Sequence, residues 1–514
     1  MLPAEITSVM DKARYADATW SLLVTDIETG ESFYELNADQ MSLTGSTRKL
    51  FSVGAALDEL GADHRQVTPV HRQGTVAADG TLDGNLILVG GGDLEFGGRR
   101  IDADTVEFTD FDHNDANGLG SAILTPQDPL YALDDLARQV KESGISSVSG
   151  DVVIDDRMFE PYRVPNGQLL ITPVMLNENM VDVTITPGEV GQPATVTYRP
   201  ESAALTVAGT VTTGPAGSAS TVTLSDDRRP ECIGTPGCTV TVSGEIPVDY
   251  VAPLTGINSF VGTFRIEEPD AYMRTAFIEA LGRQGVSVTA PAVAANAADA
   301  LSATVVPGDY PADTLVASYE SAPFAQTAQL VLKVSLNLGA NLSLSLLGLT
   351  QGQKSIQGAL AAERQILVDK YGVNGDQFDF PTNGSGTPDS RAAPRALVQM
   401  LTAMSKTDVA EQYRAALPVM GEDGSLATAG VDLPAAGHVF AKPGTTVEPT
   451  ADGQGLTLKA QNLAGYIETK SGRTVAYALM VNDAGPVTME TLGEDVGEVF
   501  GDEAAISSAI YESL

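Results

Sequence analysis

The chain is poor in cysteine, in histidine and in positive charge. Of its 514 residues two are Cys and four are His, and 30 Lys and Arg stand against 67 Asp and Glu, a formal net charge of −37. A field of that sign repels nucleic acid and anionic lipid head groups, so neither is an expected partner. The carboxylates are spread along the whole chain, which suits an acidic secreted protein or a salt-rich setting where the charge is screened. The four His, at His64, His71, His113 and His438, have no partner at metal-ligand spacing. A Ser-His-Asp triad has no support, and the G-x-S-x-G elbow is missing. Neither a metal nor a cofactor is expected. No run of about 18 apolar residues occurs, so no integral membrane segment is expected. The opening residues Met1-Leu2-Pro3-Ala4-Glu5 lack a basic region followed by an apolar stretch. A leader has been removed, or the protein is cytosolic.

The two cysteines lie together, in Cys232-Ile-Gly-Thr-Pro-Gly-Cys238. The Pro-Gly turn brings them within bridging reach, and no His lies near to complete a zinc site. A disulfide is the expected reason for the pair, and it points to an oxidising compartment.

Hydrophobic residues make up 43% and charged residues 19%, the proportions of a globular protein, and 514 residues exceed what one compact core accommodates. Residues 20–38 read as a hairpin: Trp20 to Asp26, a turn at Glu28-Thr29-Gly30-Glu31, then Ser32 to Leu36. A helix follows from about Ser46, with Leu50, Phe51, Val53, Ala56, Leu57 and Leu60 as its buried face and Gly61 as its stop. From about 70 to 317 short strands alternate with Gly- and Pro-rich turns, interrupted by two helices near 128–143 and 269–284. After 318 helical patterns return at 322–333, 341–349, 353–371 and 394–405, then strands at 437–442, 462–469 and 474–482, then a C-terminal helix. The pattern is a multi-domain α/β fold, an α/β unit split by a long, mostly β insertion.

Three of the ten lysines fall in a telling order. Lys49 closes Ser46-Thr47-Arg48-Lys49, Lys333 stands two residues before Ser335-Leu336-Asn337, and Lys442 opens Lys442-Pro443-Gly444-Thr445. Between Lys141 and Lys333 there is no Lys at all. Each triplet alone is weak, but each sits in a suitable context. Ser46 opens a helix, with Lys49 on the same face one turn on. Ser335 lies between two helices, and Lys442 ends a strand. The order S-x-x-K, S-x-N, K-[T/S]-G is the signature of penicillin-binding proteins and serine β-lactamases, in which Ser attacks an acyl carbonyl and Lys manages its proton.

The chain resembles the three-domain DD-carboxypeptidase/endopeptidase penicillin-binding proteins (class C, low molecular mass) over nearly its full length. Leu86 to Asp93 is similar to the family's strand-plus-GGGD segment, and Leu176 to Val183 to its N-x-N-x-V-D-V stretch. Asn383-Gly384-Ser385-Gly386 with Pro394 to Val398 resembles D-G-S-G…P-R-A-L-V, and Leu417 to Ala427 resembles L-P-V-x-G-x-D-G-T-L. The resemblance implies a split transpeptidase/β-lactamase-like catalytic domain from 1–69 and 318–514. It also implies an inserted second domain from 70–165 and 251–317, and a nested β-rich third domain at 166–250.

It implies, further, peptidoglycan stem peptides as substrates, β-lactams as acylators, and a secreted, periplasmic or wall-associated location. Ser46 would be the nucleophile. Lys49 would be its base, which requires a neutral amine favoured by burial and by Lys442. Ser335 would relay the proton to the leaving amine, and Asn337 would hold the substrate amide. Lys442 and Thr445 would face the terminal carboxylate, with Gly444 and Thr446 beside them, and the N–H groups of Ser46 and Thr445 would form the oxyanion hole.

One departure matters. The family has Thr or Ser after the third-motif Lys, and this chain has Pro443, which lacks the hydroxyl and one strand N–H. Thr445 and Thr446 are the residues placed to replace it. The departure keeps a serine esterase or amidase on neutral acyl substrates open as an alternative, and a wall-binding pseudoenzyme is the third reading. Asp110-x-Asp112-x-Asn114, with Asp115, resembles a calcium loop but lacks its Gly and its final Glu, and reads as an acidic surface loop.

Overall fold

The computed structural model describes residues 2–109, 111–114, 120–225, 229–303, 305, 307–450, 455–488 and 491–514. It divides into two compact units: Met1–His64 with Tyr162–Ile171 and Phe324–Leu514, and Arg65–Pro161 with Thr172–Pro323. Both chain ends thus build one unit and a long insertion builds the other. Sequence texture gives no sign that residues 162–171 return to the first unit, where Tyr162 Oη donates to the Asn341 carbonyl at 3.1 Å. Treating 166–250 as a nested domain inside the insertion remains our proposal.

The first unit is built on an antiparallel sheet of β1 (Thr19–Asp26), β2 (Ser32–Leu36), β3 (Val439–Pro449), β4 (Leu456–Glu468) and β5 (Thr474–Asn482). Their order is β2-β1-β5-β4-β3, so β3 lies at an edge; a short strand, Pro486–Val487, also pairs with β4. β5 lies centrally, and Val475 to Val481 are all buried. Such a strand has no solvent face, which is why its sequence is a continuous apolar run rather than an alternation.

The helices α1 (Ala4–Met10), α2 (Lys49–Leu60), α3 (Phe324–Val334), α4 (Asn337–Thr350), α5 (Ile356–Asp369), α6 (Pro394–Met404) and α7 (Leu492–Ser513) belong to it, with a short helix at Ala410–Ala415. One sheet face carries Ala441, Leu463, Ile467, Tyr477 and Leu479, which form a core with Ile6 of α1 and Val499, Ile506 and Ile510 of α7. α6 packs on β5 and β1, and α2 packs on α3, α4, α5 and α6. Lys49 through Leu57 are all buried, so α2 is a core helix with no wet face. Gly61, at φ 95°, ends it in a conformation that a side chain would strain.

The inserted unit carries Val67–Val76, Thr81–Val89 and Leu315–Glu320 in one mixed sheet, with the helices Tyr131–Glu142 and Pro269–Arg283. Its most β-rich part pairs Thr206–Gly214 in parallel with Thr239–Pro247. Cys232 and Cys238 are joined as a disulfide, with Cα atoms 5.2 Å apart.

Candidate active site

The turn carrying Ser46 is tighter than its sequence implies. Gly45–Arg48 is a 3₁₀ turn, and the α-helix proper begins at Lys49 rather than at Ser46. The cause is close packing against β3. A Cβ on Gly45, which has φ 48°, would lie 2.7 Å from the Thr445 nitrogen. A Cβ on Gly444 would lie 2.4 Å from the Thr44 oxygen and 2.9 Å from the Ser46 nitrogen. Only glycine at both positions lets the edge strand and the turn touch. The same turn is held from β4, where the buried Asn462 donates from Nδ2 to the Leu43 and Thr44 carbonyls, each at 2.9 Å.

Arg48 is a second anchor. Its guanidinium meets Glu363 of α5 at 2.7 and 2.5 Å through two parallel bonds, and it lies 3.8 Å over the Phe380 ring. Neither Asn462 nor the Arg48–Glu363 pair is signalled by a motif, because their partners are hundreds of residues away in the chain.

The five residues expected to be catalytic converge. Lys49, fully buried, donates from Nζ to Ser46 Oγ at 2.8 Å, Asn337 Oδ1 at 2.7 Å and the Ser385 carbonyl at 3.2 Å, and lies 3.4 Å from Ser335 Oγ. Lys442, also fully buried, donates to Ser335 Oγ at 2.9 Å and to the Pro443 carbonyl at 3.0 Å. Ser46, Ser335 and Asn337 remain partly open. The two amines thus lie beneath a reachable row of hydroxyl and amide groups.

Ser335 joins α3 to α4 at φ 64°, a backbone that non-glycine residues adopt only when held. The hold comes from Lys333, two residues earlier, whose Nζ donates to the Leu417 carbonyl at 2.6 Å and to both Asp423 oxygens at 2.8 and 2.6 Å. The opposite wall is Asn383-Gly384-Ser385-Gly386. Asn383 Oδ1 accepts from the Ser385 and Gly386 nitrogens at 2.9 and 2.7 Å, and Asn341 Nδ2 donates to Ser385 Oγ at 3.0 Å. On β3, the Thr446 hydroxyl shares a hydrogen bond with Thr387 at 3.1 Å, and Thr445 Oγ1 donates to Gln461 Oε1 at 2.7 Å.

A model of the D-Ala-D-Ala carboxypeptidase 3 (S13) family matches residues 2–496, which takes in every one of these positions. The chain belongs to that family. It is therefore an enzyme, a serine-type D-Ala-D-Ala carboxypeptidase of the hydrolase class. A D-alanyl-D-alanine carboxypeptidase of Actinomadura sp. (strain R39) is 26% identical to it across 95% of this chain and 82% of that protein. The crystal structure of penicillin binding protein 4 of Haemophilus influenzae superposes with a TM-score of 0.68 at 18% identity, covering 99% of both chains. The same protein complexed with a novel β-lactam gives 0.64 at 18% identity, over 98% of this chain and all of that one. The S13 carboxypeptidase thus has the penicillin-binding, β-lactamase-like fold that the resemblance implies.

A separate polar cluster lies within the inserted unit. Asp112, His113 and Asn114 are buried, so this stretch is not the surface loop expected; Asp110 and Asp115 lie outside the described residues. Ligand atoms of Asp112, His113 and Glu178 lie within 4.8 Å of one another, a grouping that chain spacing hides. They are already engaged. His113 Nδ1 donates to Asp182 at 2.7 Å and its Nε2 to Glu178 at 3.0 Å, while Arg99 bonds Asp112 and Glu178 and Arg199 reaches Asp182. With both ring nitrogens donating, His113 is an imidazolium, and three cations match three carboxylates. Burial opposes the His113 charge, but Asp182, Asp112 and Glu178 outweigh it and raise its pKa well above the usual value.

Proposed function

We propose that this carboxypeptidase cleaves D-alanyl-D-alanine peptides of peptidoglycan through an acyl-enzyme on Ser46, and that penicillin acylates the same oxygen. The observation that carries this reading is the placement of Lys49 Nζ, 2.8 Å from Ser46 Oγ and 2.7 Å from Asn337 Oδ1, with Ser335 between it and Lys442. As a neutral amine, Lys49 accepts the Ser46 proton while Oγ bonds to the acyl carbon. The developing oxyanion sits between the N–H groups of Ser46 and Thr445, brought together by the Gly45 and Gly444 contact; each such donor contributes roughly 3–4 kcal/mol in comparable sites. The C–N bond then breaks, and Ser335 delivers a proton to the departing amine, resupplied from the lysine pair. Water repeats the attack on the ester and regenerates Ser46. A β-lactam follows the first half of this path, with its ring C–N bond as the one broken.

Stem peptides and β-lactams are thus the proposed partners, and an oxidising location outside the cytosol is the proposed setting, consistent with the Cys232–Cys238 disulfide. No helix among the described residues is long and apolar enough to cross a membrane. The test is intact-protein mass spectrometry after incubation with penicillin. The wild type gains one penicilloyl group and Ser46→Ala gains none; an adduct persisting in the mutant would remove Ser46 from this role.

A further inference from the structure

A loop far along the chain ties the Ser335 turn to β3. Lys333 is 3% exposed, and its Nζ donates to the Leu417 carbonyl at 2.6 Å and to both Asp423 oxygens at 2.6 and 2.8 Å. An ammonium has three hydrogens, and these three bonds use them all. Asp423 Oδ1 also accepts from the Val419 nitrogen at 2.8 Å, which closes residues 419–423 on themselves. The loop meets the backbone as well: a Cβ on Gly424, which has φ 58°, would lie 2.7 Å from the Lys333 carbonyl oxygen. Its other side holds β3. The Met420 nitrogen donates to the Val439 carbonyl at 3.0 Å, and the Ala441 nitrogen donates to the Pro418 carbonyl at 2.9 Å. The strap therefore begins two residues before Ser335 and ends on the residue next to Lys442.

Between those two ends lies the contact of Lys442 Nζ with Ser335 Oγ, at 2.9 Å. An ammonium can only donate, so Ser335 Oγ accepts there, and Lys49 approaches the same oxygen at 3.4 Å. The single hydroxyl hydrogen of Ser335 is then left to point away from the lysines, toward the side of the residue that is partly open. That is the polarity a proton donor to a departing amine requires. Ser335 does not keep this place unaided, because its φ of 64° is one that a non-glycine residue adopts only when its surroundings impose it.

We propose that Lys333 and Asp423 are positioning residues for proton transfer to the leaving group: by strapping the Ser335 turn to β3 they hold Ser335 Oγ on Lys442, and so they act on amide cleavage in particular. This deepens the proposed function and rests on its assignment of Ser335 as the proton donor. When the acyl C–N bond breaks, its electron pair stays on nitrogen, nitrogen takes the Ser335 proton, and Lys442 returns a proton to Oγ. A p-nitrophenyl ester needs no such proton, because its C–O bond breaks to leave a stable phenolate.

The experiment compares kcat/KM, which covers the steps up to acylation, on a D-Ala-D-Ala peptide and on the p-nitrophenyl ester of the same acyl group. Lys333→Met keeps the reach of the side chain and removes all three bonds. The peptide-to-ester ratio falls by on the order of 10- to 100-fold, the loss expected of a proton donor displaced by about 1 Å. The Asp423 side chain is 40% exposed, so water takes up its carboxylate once Lys333 is gone. Asp423→Asn keeps an acceptor for the Val419 nitrogen and weakens the hold on Lys333. It lowers the ratio by a smaller factor, and it decides the matter alone where Lys333→Met does not fold, as judged by Trp20 fluorescence. A merely structural role would slow both substrates alike, so equal falls, or a wild-type ratio, overturn the inference. Ser335→Ala is measured beside them and also lowers the ratio. A fall there with wild-type ratios in the strap variants refutes the strap alone, and a wild-type ratio in Ser335→Ala refutes the role of Ser335 and the inference with it.

Discussion

Replacing Glu363 by leucine tests how the nucleophile's turn is held. Arg48 lies between Ser46 and α2, and its guanidinium forms a bidentate pair with Glu363 in which the two side chains are 0% and 1% exposed. Removing the carboxylate strands a guanidinium where water cannot reach it. Breaking a buried pair in this way costs about 3–5 kcal/mol. That is a large share of the roughly 5–15 kcal/mol by which a domain is stable. Replacing both partners, Arg48→Met with Glu363→Leu, removes the uncompensated charge. The double variant loses chiefly the contact with the Phe380 ring, worth about 1 kcal/mol, and is more stable than either single variant. The chain's single tryptophan, Trp20, is buried in β1, so its fluorescence during urea unfolding reports this unit rather than the inserted one. That selectivity matters, because a chain of two units need not unfold in one step. The rate of penicillin labelling read in parallel falls in Glu363→Leu, since the turn is anchored at Arg48, two residues from Ser46. An unchanged urea midpoint in Glu363→Leu, or a double variant whose cost equals the sum of the two singles, refutes the reasoning.

Pro443→Thr restores the hydroxyl found at this position in the family and raises kcat/KM on D-Ala-D-Ala peptides by about 10- to 150-fold, with little change on p-nitrophenyl esters. Equal gains on both substrates would show that carboxylate recognition is not what the residue alters. His113→Gln destabilises the inserted unit most at low pH. The folded pKa of His113 is raised, so its contribution is fully present below about pH 6.5 and is lost as pH rises through the folded value. Melting temperatures of the two proteins therefore converge from pH 6 toward alkaline pH, and a gap that widens instead contradicts the imidazolium assignment.

The residues that converge around Lys49 were legible because their chemistry is local in the chain. Ser46 and Lys49 are one turn apart, Ser335 and Asn337 flank one helix start, and Lys442 sits on one strand, so short spacings mark each of them. The supports were not legible. Arg48 and Glu363, Asn462 and the Leu43 carbonyl, Gln461 and Glu503, and His113 and Asp182 meet only through tertiary packing, which leaves no periodic trace. β3 illustrates the boundary between the two. Sequence pattern ends the strand at 442, because Pro443 and Gly444 read as breakers, yet it continues to Pro449. It can do so because β4 is its neighbour in the sheet on one side, while on the other side residues 418–420 bond only the start of β3, through the Val439 carbonyl and the Ala441 N–H; a proline whose missing N–H lies on that other side costs no ladder bond with β4. The same open edge faces the Ser46 turn. A substitution there is nearly silent for folding and is felt in what the edge offers a ligand. We propose that Pro443 acts on recognition, since the strand, with the Lys442 and Thr445 that it carries, stays in place.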